Sequence, residues 1–141
     1  IAPAGFWDVI EASSKPIIAT HSNAKALCPH PRNLDDKQIL AINENDGLIG
    51  VTFAGHFLEH DYNDACIESI YRHIDYMLNL MGNDDHIGFG SDFDGIKKRK
   101  EMSDCSQMYM LIDALREHDY SEEEIEKICY KNVLRVYKEV L

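Results

Sequence analysis

Apolar positions in this chain fall into two kinds of run that alternate. Ile17-Ile18-Ala19-Thr20, Leu48 to Phe53 and His86 to Gly90 are too short for helices and rich in β-branched residues or glycine, which predicts three buried strands of a parallel sheet. Between and around them the period is helical. Ile67, Ile70, Tyr71, Ile74, Met77, Leu78 and Met81 recur at three and four, predicting an amphipathic helix from about Asp64 that Gly82-Asn83 ends. Gly5 to Ser13 carries a shorter pattern of the same kind. Asp35 followed three residues later by Gln38 starts a helix to about Asn45, which Gly47 stops. Helices are expected again from about Ser106 to Glu117, from Ser121 with its Glu124 capping partner, and over Asn132 to Leu141. After the opening helix the order is β-α-β-α-β-α-α, and each strand runs out into polar residues.

Ligands of parallel α/β architectures sit outside the carboxyl ends of the strands. Here those ends offer His21 and Ser22, then Thr52 and His56, then Ser91, Asp92 and Asp94. An imidazole and a carboxylate at such a mouth suit a zinc-like divalent metal, and a second carboxylate suits proton transfer. Three parallel strands cannot close a barrel.

Composition narrows the classes. The chain has 141 residues, 45% of them hydrophobic, enough to fold as one domain's worth of sequence. With 25 Asp+Glu against 14 Lys+Arg the formal net charge is −11, which repels phosphate backbones and anionic membranes and argues against nucleic-acid binding. The basic run Lys97-Lys98-Arg99-Lys100 is too short to reverse that. No apolar stretch is long enough to span a bilayer, and no secretory leader opens the chain, so a cytoplasmic protein is expected. Cys28, Cys66, Cys105 and Cys129 form no CxxC pair and read as reduced thiols.

The stretch Pro16-Ile-Ile-Ala-Thr-His-Ser-Asn-Ala-Lys-Ala-Leu-Cys-Pro-His-Pro-Arg-Asn33 resembles the renal, or membrane, dipeptidase family of metallopeptidases. The resemblance continues in family order through Gly47 to Phe53, His73-Ile-Asp75, Gly88-Phe-Gly-Ser-Asp-Phe-Asp-Gly95 and Asn132-Val-Leu-Arg-Val136. It implies an α/β fold, the C-terminal part of a (β/α)8 TIM-like barrel, with a two-zinc site at the barrel mouth that hydrolyses dipeptides by metal-activated water. It further implies that His21 is a metal ligand and that Arg32 binds the substrate's terminal carboxylate, a task suited to a guanidinium fork. Asp92 matches the residue assigned to substrate binding and proton transfer.

The family's His-x-Asp pair and bridging Glu have no counterpart here, and the chain is expected to begin just after another ligand histidine. A complete barrel takes about 250 residues, so residues 1–141 read as a C-terminal segment of one barrel domain, supplying one ligand to the metals. Alone it is expected to be inactive and to bind zinc weakly. An open sheet edge favours self-association or a complementing N-terminal portion. A catalytically inert truncated or interaction module from the same barrel is the competing expectation, and a different metal-dependent hydrolase a third. Asp94 reads as a turn residue, His30 as structural, His73 with Asp75 as bonding locally on its helix, His56 and His60 as solvated loop residues, and His86 as lying at the end of the sheet away from the chemistry.

Overall fold

Three short strands, Ile18–Ala19 (β1), Leu48–Val51 (β2) and Ile87–Phe89 (β3), pair in parallel in the order β1-β2-β3 in the computed structural model, which describes residues 2–97 and 101–141. Ile18 lies opposite Leu48, and Gly50 opposite Gly88. Every residue of the central strand is buried, as its unbroken apolar sequence requires for a strand covered on both faces. Lys98, Arg99 and Lys100 of the basic run, like Ile1, lie outside the described residues.

The helices are Pro3–Ala12 (α1), Asp36–Glu44 (α2), Gly55–Leu58 (α3), Ile67–Met81 (α4), Met108–Glu117 (α5), Glu122–Glu126 (α6) and Asn132–Val140 (α7). The two sequence-legible capping boxes are both made. Asp35 accepts from the Gln38 amide while Gln38 returns a bond to Asp35, and Ser121 and Glu124 do the same. Helix α4 starts three residues later than the periodicity suggests, because Tyr62–Asp64 forms a separate 3-10 turn. Its end is set by Gly82, whose φ of 72° places it in the left-handed region a glycine enters freely. Helices α6 and α7 are joined through a π-helical stretch, Lys127–Lys131, rather than being separated by a loop.

The core is packed from Ile39 and Ile42 of α2, Ile49 and Val51 of β2, Ile70, Ile74 and Met77 of α4, and Leu111 and Leu115 of α5. β1 and β3 are the edges of the sheet, and Ile18 and Ala19 of β1 are only half-buried. Trp7, Val9, Tyr130, Leu134, Tyr137 and Leu141 leave further apolar surface exposed. No helix is long and apolar enough to cross a membrane among the described residues.

Candidate active site

β1 delivers Thr20 and His21 to the carboxyl end of the sheet, and the chain there lies across the tips of its neighbours. The Ser22 amide donates to the Gly50 carbonyl over 2.8 Å. The Thr20 carbonyl oxygen occupies the space a side chain at Gly50 or Gly90 would fill, so this close approach requires glycine at both positions.

His21 is held at both ring nitrogens. Its Nδ1 is 2.7 Å from Thr20 Oγ1, and its Nε2 is 2.6 Å from a terminal nitrogen of Arg32. A guanidinium only donates, so Nε2 accepts, and Nδ1 carries the proton toward Thr20. Arg32 is eleven positions further along the chain and returns to His21 because the intervening loop is pinched at its base. Ala24 and Leu34 form a parallel bridge, with Lys25 N–H donating to the Leu34 carbonyl and Leu34 N–H to the Asn23 carbonyl, each over 2.8 Å.

The Arg32 guanidinium stands 5.1 Å from the centre of the Phe57 ring, which also packs at 4.3 Å against His30. Partial burial, followed by the charges of Arg32 and His56, lowers the His30 pKa below its ordinary value. Asp92 follows β3 with φ 66° and ψ 28°, a left-handed conformation that aspartate tolerates better than most residues. Its carboxylate lies where a side chain at Gly95 would have to go, and it makes no capping bond.

Of the three residues singled out by sequence, His21 and Arg32 are therefore in direct contact. Both line a cavity of about 340 Å³ between β1, α1 and α2, whose apolar wall includes Phe6, Val9, Ile17 and Ile42. Asp92 belongs to the same end of the sheet but not to that cavity. Sequence reasoning gave no role to Thr20, which fixes the His21 tautomer, or to Phe57, which backs Arg32. Thr20 precedes the histidine directly, a signal available in hindsight, whereas the place of Phe57 depends on a turn of helix in a polar loop.

As for a metal, His21 fits one ligand position only in exchange for its Arg32 contact: Thr20 holds the Nδ1 proton, and the Nε2 lone pair that now accepts from Arg32 would be the donor. A mononuclear zinc site takes three protein ligands, and among the described residues no group of three or more His, Cys, Asp or Glu could hold a metal ion. The donors present fit a share of a site and not a whole one.

A histidine and an arginine stand side by side at the carboxyl end of a parallel sheet, where α/β architectures bind their ligands. The chain belongs to the membrane dipeptidase family (peptidase family M19), whose model matches residues 1–141. It is 45% identical over 138 residues to an uncharacterized protein in the pqqA 5' region of Klebsiella pneumoniae, covering 96% of this chain and 51% of that protein. It is 35% identical over 134 residues to dipeptidase tcpJ of Claviceps purpurea, covering 94% of this chain and 31% of that one. A metallo peptidase from Rhodobacter sphaeroides, solved with a phosphinate mimic of the dipeptide L-Ala-D-Ala, superposes with a TM-score of 0.92 at 37% identity, over 99% of this chain and 40% of that one. The chain thus spans about half or less of the length of these relatives. Its fold is α/β, three neighbouring parallel strands and flanking helices of a TIM-like barrel of which it forms a part.

Proposed function

We propose that residues 1–141 are the C-terminal segment of a single barrel domain of a zinc-dependent dipeptidase. The placing of His21 and Arg32 side by side at the carboxyl end of the sheet carries the proposal, because it sets a metal donor within reach of a carboxylate clamp. The Rhodobacter relative's dipeptide mimic supports a dipeptide as the substrate class. In this reading His21 would exchange the Arg32 N–H for one metal at Nε2 while Thr20 holds its other nitrogen, which frees the guanidinium for substrate. Arg32 takes the substrate's terminal carboxylate with paired N–H donors, which fixes the register of the scissile bond. Asp92, at the tip of β3, contacts the substrate near that bond and moves a proton to the leaving nitrogen. A bound zinc pair supplies activated water.

The remaining ligands come from a complementing N-terminal portion. The edge position of β1 and the apolar wall beside it support a partner that continues the sheet there. Four free cysteines support a reducing, cytoplasmic setting. A catalytically inert or interaction module is the second reading, favoured by the finding that no three His, Cys, Asp or Glu among the described residues are grouped to hold a metal, where a zinc site takes three protein ligands.

Steady-state kinetics on the protein as its gene encodes it separates them. His21→Ala is expected to lower kcat/KM by about a thousandfold or more, and Arg32→Ala to raise KM by about a hundredfold with a smaller change in kcat. Wild-type kinetics in both variants would refute these site assignments, and absence of dipeptide hydrolysis in the metal-loaded parent would favour the inert module.

A further inference from the structure

His73 sits on α4 among Ile70, Ile74 and Met77, with 1% of its surface exposed, yet both of its ring nitrogens are used. Nδ1 accepts the Ala24 N–H at 3.1 Å, and Nε2 donates to the Leu58 carbonyl at 3.0 Å. These partners belong to two different mouth loops, the one after β1 and the one after β2. A leucine would satisfy the helix face equally well and would orphan a buried N–H and a buried C=O, so the imidazole answers a need of the loops.

The two loops are already tied together beside it. Asn23 gives its amide to the Thr52 and Phe57 carbonyls at 3.1 and 3.2 Å and accepts the Thr52 N–H at 3.0 Å. Asn33, next to Arg32, donates to the Cys28 and Phe57 carbonyls at 2.9 and 2.8 Å. Both asparagines thus converge on the backbone of Phe57, one residue before the carbonyl His73 holds. The Phe57 ring is the surface against which the Arg32 guanidinium rests.

We propose that His73 is a positioning residue for Arg32: from α4 it locks the Arg32 loop and the Phe57 loop into one unit, and so fixes where the substrate carboxylate is bound. The inference rests on the reading of Arg32 given above. It differs from the expectation of local bonding on the helix, since neither partner of His73 is within α4.

The test is a double-mutant cycle with hydrogen exchange on the protein as encoded. His73→Phe keeps the volume and loses both bonds; His73→Asn places an amide oxygen near the Nδ1 position and restores the acceptor for Ala24. His73→Phe is expected to raise dipeptide KM by about tenfold with kcat within about twofold. His73→Asn should recover a large part of that, and His73→Phe should add little on top of Arg32→Ala, because residues acting through one another are not additive. Amide exchange over residues 22–34 and 54–60 should quicken by about tenfold or more in His73→Phe, with β2 and β3 unchanged. If Arg32→Ala itself leaves KM unaltered, the reading of Arg32 fails and the positioning role falls with it. If Arg32→Ala raises KM while His73→Phe leaves it alone or adds its full effect to that of Arg32→Ala, Arg32 keeps its role and the positioning role is overturned. Unchanged exchange in both loops overturns it whatever the kinetics.

Discussion

At the amino ends of the strands, Arg135 gives its terminal nitrogens to the carbonyls of Asp46, Gly47 and Asp85, and Asn132 gives its amide to those of Asp84 and Ile87. At the carboxyl ends Arg32 meets the ring of His21, and Asp92 makes no capping bond. The arginine at one end is spent on backbone carbonyls and the arginine at the other on a side chain. The arginine and asparagine of α7 close the bottom of the sheet by satisfying carbonyls that the turns into β2 and β3 leave over. At the mouth, backbone satisfaction is delegated to buried Asn23, Asn33 and His73, and the side chains of His21 and Arg32 meet each other, the residues that with Asp92 form the proposed site. Under the proposed function this is the division between a stabilising and a functional face that barrels make.

The contrast can be broken by exchanging the costs. His21→Ala carries the largest effect expected, about a thousandfold in turnover, with thermal stability near that of the parent because its ring supports no backbone group. Asn132→Ala should do the reverse. It leaves two carbonyls and a buried cavity, at a cost of about 2–4 kcal/mol in denaturant unfolding, while turnover per folded molecule is kept. Loss of activity without loss of stability in Asn132→Ala would erase the distinction between the two ends.

A smaller effect sharpens the role of the buried layer under the mouth. Burial holds the His73 pKa below 6.5; the Leu58 carbonyl and Glu59 oppose the shift, and Arg72, which is paired with Glu59, adds to it. The unfolded chain therefore takes up a proton near pH 6.5 that the folded ring refuses. Stability attributable to His73 is full above pH 6.5 and declines as pH falls below it, by at most about 1.4 kcal/mol per pH unit until the folded ring titrates. The His73→Phe variant should lose that slope. Identical pH dependence of unfolding in parent and variant between pH 5 and about 6.5 would show that the ring is not held neutral.

Much of this arrangement is legible in the chain. The unbroken apolar run Leu48 to Val51 marks a strand buried on both faces, the Asp35-Gln38 and Ser121-Glu124 pairs mark helix starts, and a histidine directly after a strand marks the mouth. What is not legible depends on contacts between segments far apart in sequence. Periodicity puts His73 on the buried face with Ile70 and Ile74, and says nothing of which loops reach its nitrogens. α3 is a four-residue helix within a polar loop, too short to show a period, and it sets the place of Phe57. The left-handed turn at Asp92 also has no signal of its own, since aspartate after a strand is equally common in ordinary turns.

The central claim, that the His21 and Arg32 pair forms the dipeptide end of a hydrolytic site, is tested most directly by comparing a dipeptide with its C-terminal amide as substrates of the parent and of Arg32→Ala. The parent should prefer the free carboxylate by about a hundredfold in kcat/KM, and Arg32→Ala should reduce that preference to within about threefold. An undiminished preference for the free carboxylate in Arg32→Ala would contradict the account.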